Sequence, residues 1–326
     1  MSGWTILEGD AIELLATVPA ASVDAIVTDP PYGIGIDGQS WDGPAIQEAV
    51  AHAGNQRLTP GEAYRVWCRL WGTECLRVLK PGAFMLAFGF PRTSHRMICG
   101  LEDAGLEVCD TFCWLFADRP PKSRKLPGGR GTTLKPGHEP IALLRRPPDG
   151  TITDTINRHG TGGLELDICR VDGRYPANVV LTHDPDCSIE RCRESCPVSM
   201  LDTETRGGRE RPSRFFFRGR VSRRERDAGC HHLPARGSGS VGNPHPTVKP
   251  LDLIRWLIRL ACPPGGLVLD PFCGSGSTGA AAVLEDREFV GIEKDHGYVE
   301  IAEARIEHRA ANRGEEQGLV PLGVGP

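Results

Sequence analysis

The sequence predicts an α/β fold: a mostly parallel, twisted sheet with helices on both faces, interrupted by one irregular insertion. Three observations carry this. Short apolar runs without polar alternation, Val23–Thr28 and Leu267–Leu269, read as strands buried on both faces. Strands alternate with segments of helical apolar spacing at both ends of the chain, the order of βα units. From residue 147 to 242 that periodicity fails, and Gly, Arg, Cys and His accumulate instead.

The elements follow in order. Thr5–Leu7 is a strand stopped by Gly9-Asp10, and Asp10 caps a helix through Leu15. Val23–Thr28 is the second strand. Pro60-Gly61-Glu62 opens a long helix with Trp67, Leu70, Trp71, Cys75 and Leu76 at helical spacing, and Leu79-Lys80-Pro81-Gly82 ends it. Strands at Ala83–Phe88 and Glu107–Leu115 flank a helix over residues 93–104. Residues 117–137 form a Pro- and Gly-rich basic loop, and Ile141–Leu144 resumes strand character. Regular structure returns with a helix at Leu251–Leu260, a strand at Leu267–Leu269, a helix at Ser277–Leu284, a strand at Phe289–Ile292 and a helix over residues 297–309.

Composition bounds the answer. The 326 residues, 39% hydrophobic, can bury one large domain or a domain with a substantial insertion. No apolar run approaches the ~20 residues that span a bilayer, and Met1-Ser2-Gly3-Trp4 lacks the basic start of a secretory signal, so a cytoplasmic protein is expected. Twelve cysteines then read as reduced thiols or metal ligands. The net charge of −4 argues against nucleic acid, but the charge is segregated. Arginines crowd residues 206–226, and local basic density governs phosphate contact. Phe215-Phe216-Phe217 inside that run suggests a buried strand with basic flanks rather than a solvated loop.

Two motifs carry chemistry. Asp29-Pro30-Pro31-Tyr32 stands where the second strand ends, the ligand face of an open α/β sheet. The prolines stiffen the turn and donate no N–H, so it is rich in acceptors. Asp29 and a backbone carbonyl can accept from an amino group while Tyr32 stacks on the ring that carries it. The second motif, Leu269-Asp270-Pro271-Phe272-Cys273-Gly274-Ser275-Gly276-Ser277-Thr278, is a strand, a glycine turn and a helix start, a nucleotide cradle. Gly274, Gly276 and Gly279 match dinucleotide spacing, but Asp270-Pro271-Phe272 crowds the place of a pyrophosphate. Glu293 ends the next strand about 20 residues on, where a carboxylate can accept from both ribose hydroxyls.

Together these motifs resemble the DNA amino-methyltransferases, and their order, catalytic before cofactor, is similar to the beta class. The resemblance implies a Rossmann-like S-adenosylmethionine-dependent methyltransferase fold. It implies a catalytic core at residues 1–116 and 243–312, a target-recognition insertion at 117–242 and a flexible tail at 313–326. Asp29, Pro30, Pro31 and Tyr32 are the implied catalytic residues. Asp10, Ala11, Asp29, Thr247, Lys249, Asp270, Phe272, Gly274, Ser275, Gly276, Ser277, Thr278 and Glu293 are the implied cofactor contacts. Asp10 is a helix cap, an adenine-side contact, or both; His245 belongs to the cofactor segment or to a Pro-rich linker. His138, in a segment lining the base pocket by resemblance, contacts the base or serves structure.

Asp in the first position of the tetrapeptide leans toward N6 of adenine, and Ser toward N4 of cytosine, which stands as the alternative. RNA and protein-amide methyltransferases more often carry Asn there and reverse the motif order. The implied partner is double-stranded DNA, contacted by Arg124, Lys125, Arg130, Arg214, Arg218 and Arg220. A homodimer and a cognate restriction endonuclease are expected by resemblance only. His183, Cys187, Cys192 and Cys196 are spaced to hold a structural zinc or are ordinary reduced side chains; both readings stand.

Overall fold

The computed structural model describes residues 3–35, 40–52, 54, 58–116, 125–135, 137–170, 175–182, 196, 199, 216–217, 221–234 and 242–316. Its strands are β1 (Trp4–Glu8), β2 (Val23–Thr28), β3 (Leu79–Phe88), β4 (Glu107–Leu115), β5 (Lys125–Leu126), β6 (Arg130–Gly131), β7 (His138–Arg145), β8 (Val179–Thr182), β9 (Phe216–Phe217), β10 (Leu267–Asp270) and β11 (Glu288–Glu293). Its helices are α1 (Ala11–Leu15), α2 (Pro44–His52), α3 (Pro60–Val78), α4 (Ser94–Asp103), α5 (Ile152–His159), α6 (Arg223–Asp227), α7 (Leu251–Ala261), α8 (Ser277–Leu284), α9 (His296–Ala311) and α10 (Arg313–Glu316).

Among the described residues one nine-stranded sheet runs β1-β11-β10-β2-β3-β7-β4-β8-β9. β7 pairs antiparallel with both β3 and β4, and the other pairs are parallel. Every residue of β2 is buried, the polar Asp24 and Thr28 included, as befits a strand covered on both faces. β2 and β10 come from opposite ends of the chain yet lie side by side, Val268 against Ala25 and Leu269 against Ile26. From β2 the chain proceeds to β3 on one side, and from β10 to β11 on the other. That reversal makes a crevice at the carboxyl ends of these two strands, the usual ligand site of such a sheet.

The strand at 138–145 lies inside the sheet, between β3 and β4, and β8 and β9 extend the edge. Part of the segment between 117 and 242 is therefore woven into the sheet. An antiparallel strand placed between two others is chosen by long-range pairing, which local pattern does not encode.

Two apolar cores pack the faces. On one side α3 buries Tyr64, Trp67, Cys68, Trp71, Cys75 and Val78 at helical spacing, joined by Leu101 of α4. Thr59 and Glu62 close its start as a reciprocal capping box with Pro60 behind, so the first N–H groups are satisfied. On the other side α7 and α8 fill the core. α8 is buried at all its positions, including Ser277 and Thr278. α7 buries even Arg255, which pairs with Glu285 at 2.5 Å. None of the described helices is long and apolar enough to cross a membrane.

Candidate active site

The turn after β2 is clamped from three directions. The Tyr64 hydroxyl donates to the Pro31 carbonyl (2.9 Å). The buried Asp42 carboxylate accepts from the N–H groups of Gly33 (2.7 Å) and Ile34 (3.2 Å). Gly33 has φ +68°, and a Cβ there would lie 2.7 Å from the Tyr64 ring, so only glycine fits beneath that tyrosine. The Tyr32 ring stacks on Phe90, centroids 6.2 Å apart.

Four polar groups meet at this turn, Tyr32, Glu139 and Lys249 buried and Asp29 half-buried. The Tyr32 hydroxyl sits between two carboxylates, with Asp29 Oδ1 at 2.6 Å and Glu139 Oε1 on the other side. The Lys249 ammonium donates to Asp29 Oδ2 (2.7 Å), Glu139 Oε1 (2.9 Å) and the Tyr32 oxygen (3.0 Å). Burial raises the Asp29 pKa; Lys249 pulls it down, Glu139 pushes it up, and the balance stays raised. Burial would lower Lys249, but Asp29 and Glu139 outweigh it and hold the ammonium charged. Burial, followed by the two carboxylates, lifts the Tyr32 phenol well above its ordinary range, so it remains a donor.

The glycine turn faces this cluster. Asp270 ends β10 and accepts from Thr28 Oγ1 (2.7 Å) and Phe272 N–H (3.1 Å). Burial pushes its carboxyl up to about 6 despite those bonds. Glu293 Oε2 accepts from Gly274 N–H (2.8 Å) and Oε1 from Asp295 N–H (2.8 Å), which fixes the turn to the end of β11. The Phe272 ring packs against Trp67 and Trp71 at 5.4 and 5.3 Å. The buried Arg305 of α9 donates to the Ser275 carbonyl and to Ser277 Oγ (3.3 Å). His245 rests on Gly274 and lies edge-on to Tyr298, centroids 4.5 Å apart.

Both turns open on one cavity of about 940 Å³. Asp29, Pro30, Pro31 and Tyr32 line it. Asp10, Ala11, Thr247, Lys249, Asp270, Phe272, Gly274, Ser275, Ser277, Thr278 and Glu293 line it too. Asp10 also caps α1, accepting from Ile12 N–H, so the cap and the cavity wall are one residue. Gly276 is not part of the lining; at φ +76° it lets α8 approach Ala302 of α9. Trp41, Ile46 and His52, around the unforeseen helix α2, form a further wall. His138 is half-buried at the start of β7 and does not line the cavity. Its neighbour Glu139 reaches Tyr32 and Lys249, a role no local signal marks, since its partners stand 107 and 110 residues away.

Arg130 is exposed on the β5–β6 hairpin, which also carries Lys125. Arg124, Arg214, Arg218 and Arg220 lie outside the described residues. So do His183, Cys187 and Cys192; Cys196 is described and fully buried. Among the described residues no group of three or more His, Cys, Asp or Glu is placed to hold a metal, so the zinc reading gains no support.

A family model described as DNA methylase matches residues 23–304. The chain is similar to the Type II methyltransferase M.HindIII of Haemophilus influenzae, 24% identical over 341 residues, covering 92% of this chain and 94% of that one. It is similar to M.HinfI of Haemophilus influenzae, 23% identical over 322 residues, covering 99% of this chain and 73% of the relative. Among solved structures, PvuII DNA methyltransferase (cytosine-N4-specific) shares the fold with a TM-score of 0.57 at 17% identity, covering 96% of this chain and 93% of that one. A Thermus thermophilus protein solved with S-adenosyl-L-methionine gives 0.50 at 20% identity, covering 94% and 96%. With the match spanning most of its length, the chain belongs to the N6/N4 family of DNA amino-methyltransferases, which draw their methyl group from S-adenosylmethionine.

Proposed function

We propose that the chain methylates N6 of adenine at a specific site in double-stranded DNA. The observation that carries this is the Asp29 carboxylate, held at the cavity edge by Tyr32 and Lys249, in the position where the family resemblance links Asp to adenine.

The cavity residues fit S-adenosylmethionine. The glycine turn lies on the cavity wall, and His245 packs on it so closely at Gly274 that a Cβ would meet its Nε2 at 2.8 Å. Glu293 at the end of the next strand would hold the ribose hydroxyls, and Asp10 and Ala11, also on the cavity wall, would hold the adenine end by the family resemblance. When bound, the cofactor supplies an electrophilic methyl carbon. The chain's own residues do the rest. An aromatic amine is a weak nucleophile because its lone pair is delocalised into the ring. Asp29 and the Pro30 carbonyl accept its two hydrogens, draw the nitrogen toward tetrahedral geometry and localise that pair. Tyr32 offers a ring face to the extruded base, and stacking offsets the few kcal/mol that extrusion costs. No covalent enzyme intermediate is needed, so positioning and fixed charge carry the rate. Outside the strands that join the sheet, residues 117–242 serve target recognition, with Arg124, Lys125, Arg130, Arg214, Arg218 and Arg220 at phosphates or bases.

The test is product analysis. Duplex DNA is treated with the protein and labelled S-adenosylmethionine, digested to nucleosides and resolved by mass. N6-methyladenine is expected; N4-methylcytosine would overturn the adenine assignment. Asp29→Ala is expected to keep cofactor binding and to abolish transfer.

A further inference from the structure

The geometry points to Glu139 and Lys249 as a positioning pair: Lys249 anchors the carboxylate that receives the amine, and Glu139 anchors both Lys249 and the Tyr32 hydroxyl. The inference rests on the reading that Asp29 accepts the target amine. Neither residue need touch the base to matter. Three segments far apart in sequence, the turn after β2, the start of β7 and the stretch before α7, meet at these side chains.

Two features favour this role over cofactor contact for Lys249. All three ammonium hydrogens have acceptors in the cluster: Asp29 Oδ2, Glu139 Oε1 and the Tyr32 oxygen. None is left for a ligand. The ammonium also lies 4.9 Å from the Phe88 ring centroid and meets Tyr32 at its hydroxyl end, so protein groups enclose it. Lys249 and Glu139 are only 5% and 4% exposed. Buried ions are weak stabilisers and apolar groups of the same volume would serve packing as well. Their presence beside a reacting carboxylate is better accounted for by what they do to it: they fix its orientation and set its charge.

The groups facing Asp29 are Lys249, Glu139, Tyr32, Asp270 and Tyr64. Lys249 favours its ionised form and Glu139 opposes it. Removing one or the other must therefore move the Asp29 titration in opposite directions, which damaged packing would not do.

The experiment measures single-turnover methyl transfer by the full-length protein on duplex DNA across the acidic range, with cofactor affinity by calorimetry. Glu139→Gln is expected to shift the acid limb of the rate to lower pH, and Lys249→Met to higher pH. Each lowers the plateau by about a hundredfold, the size of a small misplacement of reacting groups. Both keep wild-type cofactor affinity. Limbs that coincide with wild type, or a loss confined to cofactor affinity, would overturn the inference. If Lys249→Met does not fold, the near-isosteric Glu139→Gln decides alone by the same sign. Asp29→Ala separates the two readings. Full activity in that variant sinks the proposed function. An inactive Asp29→Ala beside pair variants that behave as wild type sinks only the positioning role.

Discussion

Thr28 Oγ1 donates to Asp270 Oδ1 at 2.7 Å, although 242 positions separate them. Each residue ends its strand, and the strands are neighbours at the reversal of the sheet. The bond fastens the Asp29–Tyr32 turn to the glycine turn, with both residues buried. Thr28→Val keeps the shape and removes the donor. It should cost about 1–2 kcal/mol, because a buried acceptor loses a partner, and should weaken cofactor affinity. Urea unfolding and calorimetry check the two effects. Unchanged values in both would show that the turns hold their places without it.

Gly274 and Gly276 separate by the atoms they protect. Both have positive φ, +52° and +76°. A Cβ on Gly274 would lie 2.8 Å from His245 Nε2, a side chain at the cavity. A Cβ on Gly276 would lie 2.8 Å from Ala302 Cα, the backbone of α9, which has no way to yield. Gly276→Ala should therefore damage the fold, by about 2–4 kcal/mol from left-handed strain plus overlap. Gly274→Ala should lose cofactor affinity with a smaller stability cost. Thermal unfolding beside cofactor titration ranks them; the reverse order would contradict this division.

The boundaries of these elements follow from burial. β2, β10, α8 and the apolar face of α3 were readable because full burial leaves unbroken apolar runs or helical spacing in the chain. Asp10 and the glycine turn could be placed from local backbone chemistry alone. Other features depend on contacts the local pattern does not contain. The position of β7 is set by its pairing with β3 and β4. Glu139 became part of the site only when the sheet carried it to Lys249 and Tyr32. The resemblance implies Lys249 as a cofactor contact, whereas its ammonium pairs with Asp29 in the turn after β2. α5 did carry signals, a Thr151–Asp154 capping box and Gly160 at its end with φ +72°, but it buries little, so apolar spacing passed it over.

Arg130 stands exposed on the β5–β6 hairpin, and Glu139 at the catalytic turn follows nine residues later. An arginine that meets a phosphate contributes affinity without sequence preference. Arg130→Ala should weaken binding to specific and unrelated duplexes by a similar factor. It should also reduce the slope of log affinity against log salt by about 1. Fluorescence anisotropy over a salt series measures both. A loss confined to one DNA sequence would instead place Arg130 at a base edge.

His245 predicts a pH dependence with a definite sign. Its Nδ1 accepts from Thr247 N–H at 3.3 Å, which leaves the proton of the neutral ring on Nε2. Burial, then Arg305, Lys249 and Arg226, push its pKa down to about 3 from an ordinary 6.5. Between those values the unfolded chain binds a proton that the fold refuses. The contribution of His245 to stability is therefore fully present above about pH 6.5 and is lost as pH falls toward 3, at about 1.4 kcal/mol per pH unit. Asp29, Asp270, Glu225 and Glu293 act in the opposite sense, since burial raises their pKa values and the fold holds their protons more tightly. The wild-type curve is thus a sum, and the histidine must be read by difference. His245→Asn gives up the ring contact with Tyr298 and should be less stable than wild type at neutral pH. As the solution is acidified its deficit should shrink and then reverse, because it lacks the group that must stay neutral. Denaturant unfolding of both proteins through the acidic range gives that difference directly. A constant gap between the curves would mean that the folded ring takes up its proton at the ordinary pH.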